Sequence, residues 1–263
     1  MRISFCRMGL AWILWSCAGT SPERATAEKA AKKEEPARAA SPQEIAAWRE
    51  RGLKQLEEGD YRGARDELKK AWSGGAKDWE LALALGEASL FVDDEASAQA
   101  SLRHAVEVAP ENPRAHVLHA VAESLPGGNA ELRVRAGKRA AELRADILDA
   151  LLEDAERLEA AKAKKATVAA LEVATMIAPT ELRAQVRLSA ALNGDGRFRE
   201  AAIALETAAR ATSKSAVMFR QAAELWTKAG DETKAAELRK IADELDPPET
   251  ERKMRPLLES KRK

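Results

Sequence analysis

The feature that most constrains this chain is a spacing of 34 residues. In the stretch starting at Ile45, Trp48, Gly52, Gly59, Asp60, Tyr61, Ala64, Leu68 and Ala71 fall at positions 4, 8, 15, 16, 17, 20, 24 and 27. The stretch from Trp79 repeats this with Leu85-Gly86 at positions 7 and 8, Ala98 at 20, Leu102 at 24, Ala105 at 27 and Pro110 at 32. From Leu182, Gly196-Arg197-Phe198 take positions 15 to 17, followed by Ala201, Leu205 and Ala208. From Ala216, Gly230-Asp231 take positions 15 and 16, with Ala235, Ala242 and Pro247 behind them. Two weaker units lie between. Residues 148–181 keep Ala155, Leu171, Ala174 and Pro179 in register but carry Lys162 where the turn glycine belongs. Residues 113–147 need one extra residue, placed at the Pro126-Gly127-Gly128-Asn129 turn. Six contiguous units therefore fill residues 45–249 (45–78, 79–112, 113–147, 148–181, 182–215 and 216–249).

A unit this short cannot bury its own apolar face, so neighbours must stack into one continuous core. Composition says what they are made of. Aromatic residues are only 4% of the chain, while Ala, Leu, Glu, Lys and Arg dominate, residues that lose little side-chain freedom in a helix. Ser41-Pro42-Gln43-Glu44 is a helix start: serine caps free amides, proline suits the first turn, and the glutamate reaches back to the serine amide.

This pattern resembles the tetratricopeptide repeat (TPR), a helical hairpin whose small residues let two helices approach closely. The resemblance implies an all-α fold, a TPR superhelix or α-solenoid of about six hairpins over residues 42–249, with a short helix after it. In that family the first helix of each unit lines an inner groove through positions 2, 5, 9, 12 and 13. Carried onto this sequence, those positions give Arg49, Leu53 and Leu56, then Leu83, Glu87, Leu90 and Phe91, then Arg114, Val117 and Val121. Such a groove is apolar with sparse charges towards the amino end, and suits an amphipathic helix or extended segment of a protein partner. In the alternative reading, the same leucines fill gaps between adjacent units. The carboxylate clamp of chaperone TPRs needs Lys and Asn where this chain has Arg49 and Leu53, so that function is not expected.

Catalysis needs convergent titratable groups, and none is apparent. His104, His116 and His119 are the only histidines; the last two share a helical face, but no cysteine or carboxylate pattern completes a zinc set. Asn193-Gly194-Asp195-Gly196 lacks the spaced acidic ligands of a calcium loop, and no phosphate-cradling loop or nucleophile elbow is present. The chain is expected to be non-enzymatic, without a metal or cofactor. Lys plus Arg and Asp plus Glu are equal at 43 each, which argues against nucleic acid as partner.

The amino-terminal segment tells of location. Arg2 and Arg7 precede an uncharged run, Met8 to Pro22, of 15 residues, short of the roughly 20 that span a bilayer as a helix. A basic start, short apolar centre and small residues read as a secretory signal. Its end, Leu14-Trp15-Ser16-Cys17, resembles the lipobox of bacterial lipoproteins, with Trp15 departing from the small residue usual there. The resemblance implies removal of residues 1–16 and a thioether-linked diacylglycerol on Cys17. Further acylation would follow, because one acyl chain binds membranes only marginally. Ala18 in place of aspartate implies sorting to the outer membrane, on its periplasmic face. Residues 17–41 then form a linker without an apolar stripe, spanning about 27 Å as a flexible coil. Cys6 and Cys17 are the only cysteines and both precede the array, so no disulfide framework is expected in it.

Residues 250–263 carry six basic and two acidic side chains with Met254, Leu257 and Leu258, and are read as a capping helix with a basic tip. A lipidated cysteine, a tether and six TPR units is also the layout of type IV pilus pilotins (the PilF and Tgl type). That resemblance implies an outer-membrane secretin as partner; the protein itself is expected to be a monomer. A scaffold for another cell-envelope complex, such as peptidoglycan synthesis or outer-membrane protein assembly, and a tethered chaperone or regulator are the alternatives.

Overall fold

Ser41 opens the array with reciprocal bonds: its hydroxyl accepts from the Glu44 amide at 3.3 Å, and the Glu44 carboxylate accepts from the Ser41 amide at 2.7 Å. A computed structural model of the chain describes residues 40–212 and 215–247. The signal and lipobox with Cys17, most of the linker, and the tail from residue 248 lie outside the described residues. Within them are twelve helices and no strand: α1 (Pro42–Glu58), α2 (Tyr61–Ser73), α3 (Trp79–Phe91), α4 (Glu95–Val108), α5 (Pro113–Ala122), α6 (Ala130–Leu143), α7 (Ile147–Ala160), α8 (Lys164–Ile177), α9 (Leu182–Gly194), α10 (Phe198–Ala211), α11 (Ala216–Lys228) and α12 (Glu232–Leu245). They pair as six antiparallel hairpins, α1 with α2 through α11 with α12. No described helix is long and apolar enough to cross a membrane.

The hairpins turn at one repeat position. Position 15 of each unit is left-handed: Gly59 (φ 81°), Asp93 (54°), Gly127 (80°), Lys162 (63°), Gly196 (78°) and Gly230 (80°). Lys162 thus holds a glycine's backbone conformation despite its Cβ, at a cost of roughly 1–2 kcal/mol. In five units the next residue begins the second helix as its N-cap position, such as Asp60 or Asp231. In the third, Gly128 intervenes before the cap, Asn129. A Cβ on Gly128 would lie 2.3 Å from the Glu123 carbonyl oxygen, so only glycine fits.

Hairpins close through small-against-large pairs. A Cβ on Gly52 would lie 2.6 Å from Leu68, and one on Gly86 2.3 Å from Leu102. Between hairpins, α3 packs against both α1 and α2, and α5 against both α3 and α4. The next junction differs. It is α8, the second helix of its hairpin, that packs on α5 and α6, while α7 touches both only slightly. Two features admit α8 there. Gly137 on α6 leaves room for the Met176 methyl, which would sit 2.4 Å from a Cβ. And α8 is apolar on nearly every face, with Ala166, Val168, Ala169, Ala170, Leu171, Val173 and Ala174 all buried, the pattern of a helix enclosed by others. The stack then continues from α8 to α9, α10, α11 and α12.

Candidate partner-binding face

The first helices α1, α3, α5 and α7 present one face of the array, and its middle is built around an arginine. Arg114, near the start of α5, donates to Asp154 of α7 at 2.9 and 3.2 Å and lies 3.0 Å from Glu87 of α3. Asn112 caps α5 and fixes this turn, its side chain accepting from the Arg114 and Ala115 amides. Arg157 completes the set, with Nη1 3.1 Å from Glu87 and 3.2 Å from Asp154. It also stands over the Phe91 ring, 5.1 Å from its centroid, and Phe91 stacks on Tyr61 at 3.9 Å. Residues of four successive hairpins therefore meet at one point. Burial works against the charge on Arg114, but Glu87 and Asp154 outweigh it and raise the guanidinium's pKa. Arg157 is held the same way.

The groove residues expected from the repeat pattern divide. Leu90, Phe91, Val117 and Val121 do not line an open groove: all four are buried. They belong to one apolar cluster that also holds Ile147, Leu151, Leu152, Ala155 and Leu158 of α7 and runs on into the later hairpins. Leu53, Leu56 and Leu83 are half-buried, packed on the amino-terminal cluster of Leu68, Leu81 and Leu85 or its neighbour. Arg49 reaches the second hairpin, 3.2 Å from Asp78 and 2.5 Å from Glu80. Glu87 and Arg114 are brought together. Asp154, Arg157 and Tyr61 were not expected at this centre, since repeat spacing alone does not place α7 against α3.

The histidines are structural in their contacts. His119 and Glu123 are buried and 3.2 Å apart, and Glu123 also accepts from Arg103 at 3.0 Å and from the Asn129 amide at 2.7 Å. This carboxylate pins the Gly127–Asn129 turn to the preceding hairpin. His116 and His119 border a cavity of about 740 Å³ between α4 and α6, rimmed by Arg135, Lys138 and Arg139. His104 bonds the Lys77 carbonyl at 2.8 Å and meets Trp72 edge-on. Among the described residues no group of three or more His, Cys, Asp or Glu side chains is placed to hold a metal ion.

Residues 55–122 match the tetratricopeptide repeat family. With the twelve helices described, the fold is an all-helical, TPR-like solenoid. Comparison with curated proteins gives no match. Solved structures similar to the chain include "MamA MSR-1 C2" (21% identity, 77% of this chain and 96% of that one, TM-score 0.37). Another, titled "Crystal structure of MamA protein", has 17% identity over 82% and 96% at a TM-score of 0.36. A third is MamA from Desulfovibrio magneticus RS-1, residues 41 to the end, at 19%, 65% and 96%, TM-score 0.34. Likeness at that level carries no argument about the TPR face or its use.

Proposed function

We propose that this protein is a non-catalytic TPR adaptor, held by lipid on Cys17 at the periplasmic face of a bacterial outer membrane, where it binds protein partners. The observation that carries the adaptor reading is the solenoid, whose stacked hairpins spend their repeated residues on turns and helix contacts. The anchor rests on Leu14-Trp15-Ser16-Cys17 and the linker that follows, and it gives the array its place of action. In its finest form the proposal takes an outer-membrane secretin as partner and assembly of the secretin ring as the task, on the strength of the pilotin-like layout.

The test is a crosslinking pull-down from intact envelopes, paired with fatty-acid labelling of the wild type and Cys17→Ala. The adaptor reading expects discrete protein partners that are lost when the array is deleted. Labelling that survives Cys17→Ala removes the anchor. Secretin multimers that form normally in a deletion strain remove the secretin and leave the adaptor.

A further inference from the structure

We propose that the cleft between α4 and α6, the second helices of hairpins two and three, binds an amphiphilic anion: a ligand with a phosphate or carboxylate head and an apolar body. The site is separate from the face that the first helices present, and it stands independently of the adaptor reading and of the anchor.

The cleft has a volume of about 740 Å³, within the roughly 300–1,000 Å³ of small-ligand sites. Its apolar part is Val106 of α4 with Leu132 and Ala136 of α6, beside the His119 ring. Val106 and Leu132 are only half-buried, so apolar surface is left there for an occupant to take from water.

Charge selects the head. Most charged groups along the cleft are already paired. Arg139 donates to both oxygens of Glu111 at 2.8 Å and lies 3.4 Å from Glu142, and Arg103 donates to Glu123 at 3.0 Å. Arg135 and Lys138 differ: both are exposed, and neither has an ion pair among the described residues. They stand three apart on α6, hence on one side of it, with Glu107 as the one lining acid left uncommitted against them. A guanidinium and an ammonium side by side, in excess over the acid, hold a phosphate or carboxylate through charge-assisted bonds.

The outline of the cleft favours a compact ligand. The Arg139–Glu111 pair crosses from α6 to the connector that follows α4, and the Arg103–Glu123 pair ties α4 to the end of α5. A cleft tied at two points obstructs a continuous helix or strand, whereas a short amphiphile needs no through-path. The same chemistry has two sources, a free amphiphile and the headgroup of a membrane phospholipid, and the second would lay α4 and α6 against a bilayer.

The experiment titrates octyl phosphate, below its micelle concentration, into the purified full chain and reads hydrogen exchange segment by segment. Protection should fall on residues 103–142. Arg135→Gln/Lys138→Gln removes two charges that the array does not pair, so it should keep native helicity and bind about 10-fold more weakly or worse. A double variant that binds as the wild type does overturns the inference. So does octanol or inorganic phosphate that binds as tightly as octyl phosphate, since one half of the ligand then contributes nothing. Polyglutamate that protects the same segment more strongly gives the cleft to an acidic peptide and overturns it as well. Vesicles of phosphatidylglycerol in phosphatidylcholine separate the two sources. Protection of residues 103–142 by the vesicles assigns a membrane headgroup, and protection by octyl phosphate alone assigns a free amphiphile. No protection by either overturns the proposal.

Discussion

Arg157 on α7 and Glu87 on α3 are seventy residues apart in the chain and 3.1 Å apart in space. The contact skips α5, whose Arg114 lies 3.0 Å from the same Glu87 oxygen. One carboxylate, 13% exposed, therefore ties three first helices. Glu87→Gln should cost about 1–3 kcal/mol, because two guanidinium groups then share Asp154 alone. Arg157 is 44% exposed, so water screens its share. A double-mutant cycle between positions 87 and 157 in urea unfolding should return a coupling of about 0.5–1 kcal/mol. A coupling of zero would mean that Arg157 adds nothing to the hold that Arg114 and the apolar contacts have on α7.

Phe91 separates a packing residue from a surface one. It is 6% exposed, stacked on Tyr61 and covered by Arg157. Phe91→Ala should destabilise the array by about 3–5 kcal/mol, read as a fall in the urea midpoint. A drop below 1 kcal/mol with lost partner capture would return Phe91 to an open groove.

Much of this was legible in the sequence, and the boundary has a physical cause. The turn register needed only local chemistry: Lys162, standing in for glycine, adopts the glycine conformation, and the extra residue of the third unit is Gly128, inside the expected turn. The burial of Leu90, Phe91, Val117 and Val121 was not legible from repeat position, since that assumes each hairpin stacks like the last. Two signals mark the exception. The α8 sequence KKATVAALEVATMI has no polar face wide enough for an outer helix, and Gly137 stands where four of the other five units put leucine. Together they say that something must enter against α6. They do not say that α7 then swings over α3.

Gly137→Leu would restore the repeat consensus and should damage the protein. Its Cβ would lie 2.4 Å from the Met176 methyl, with Val173 and Ala120 just behind at 3.8 and 3.9 Å. A flexible methionine can yield to one carbon, so Gly137→Ala should be nearly neutral. A leucine must displace α8, at a cost of about 1–3 kcal/mol or more. Thermal unfolding of the two variants distinguishes this junction from a regular one, where the leucine would stabilise.

Lys162→Gly should act in the opposite direction. With φ at 63°, lysine pays the left-handed penalty that glycine avoids, offset in part by the greater freedom of glycine in the unfolded chain. A net gain of about 0.5–1 kcal/mol is expected. Urea unfolding at unchanged m-value measures it. Destabilisation would show that the lysine side chain holds the turn in another way.

Acid should weaken the array through the buried pair of His119 and Glu123 at the carboxyl end of α5. Burial pushes the His119 pKa below its ordinary 6.5, Glu123 pulling the other way without winning. As pH falls through 6.5 the unfolded chain takes up a proton that the folded His119 refuses, so stability declines from there downward. Glu123 adds a second loss at lower pH. Burial opposes its charge, but the Asn129 amide, Arg103 and His119 together hold its pKa below 4.5. Its contribution is complete above 4.5 and disappears as pH drops through the lower, folded value. His119→Gln removes the first group while leaving an amide able to donate to Glu123. The variant should lose less stability than the wild type between pH 7.5 and 5.5, and still fail below pH 4.5. Parallel pH profiles would place the upper transition on another group.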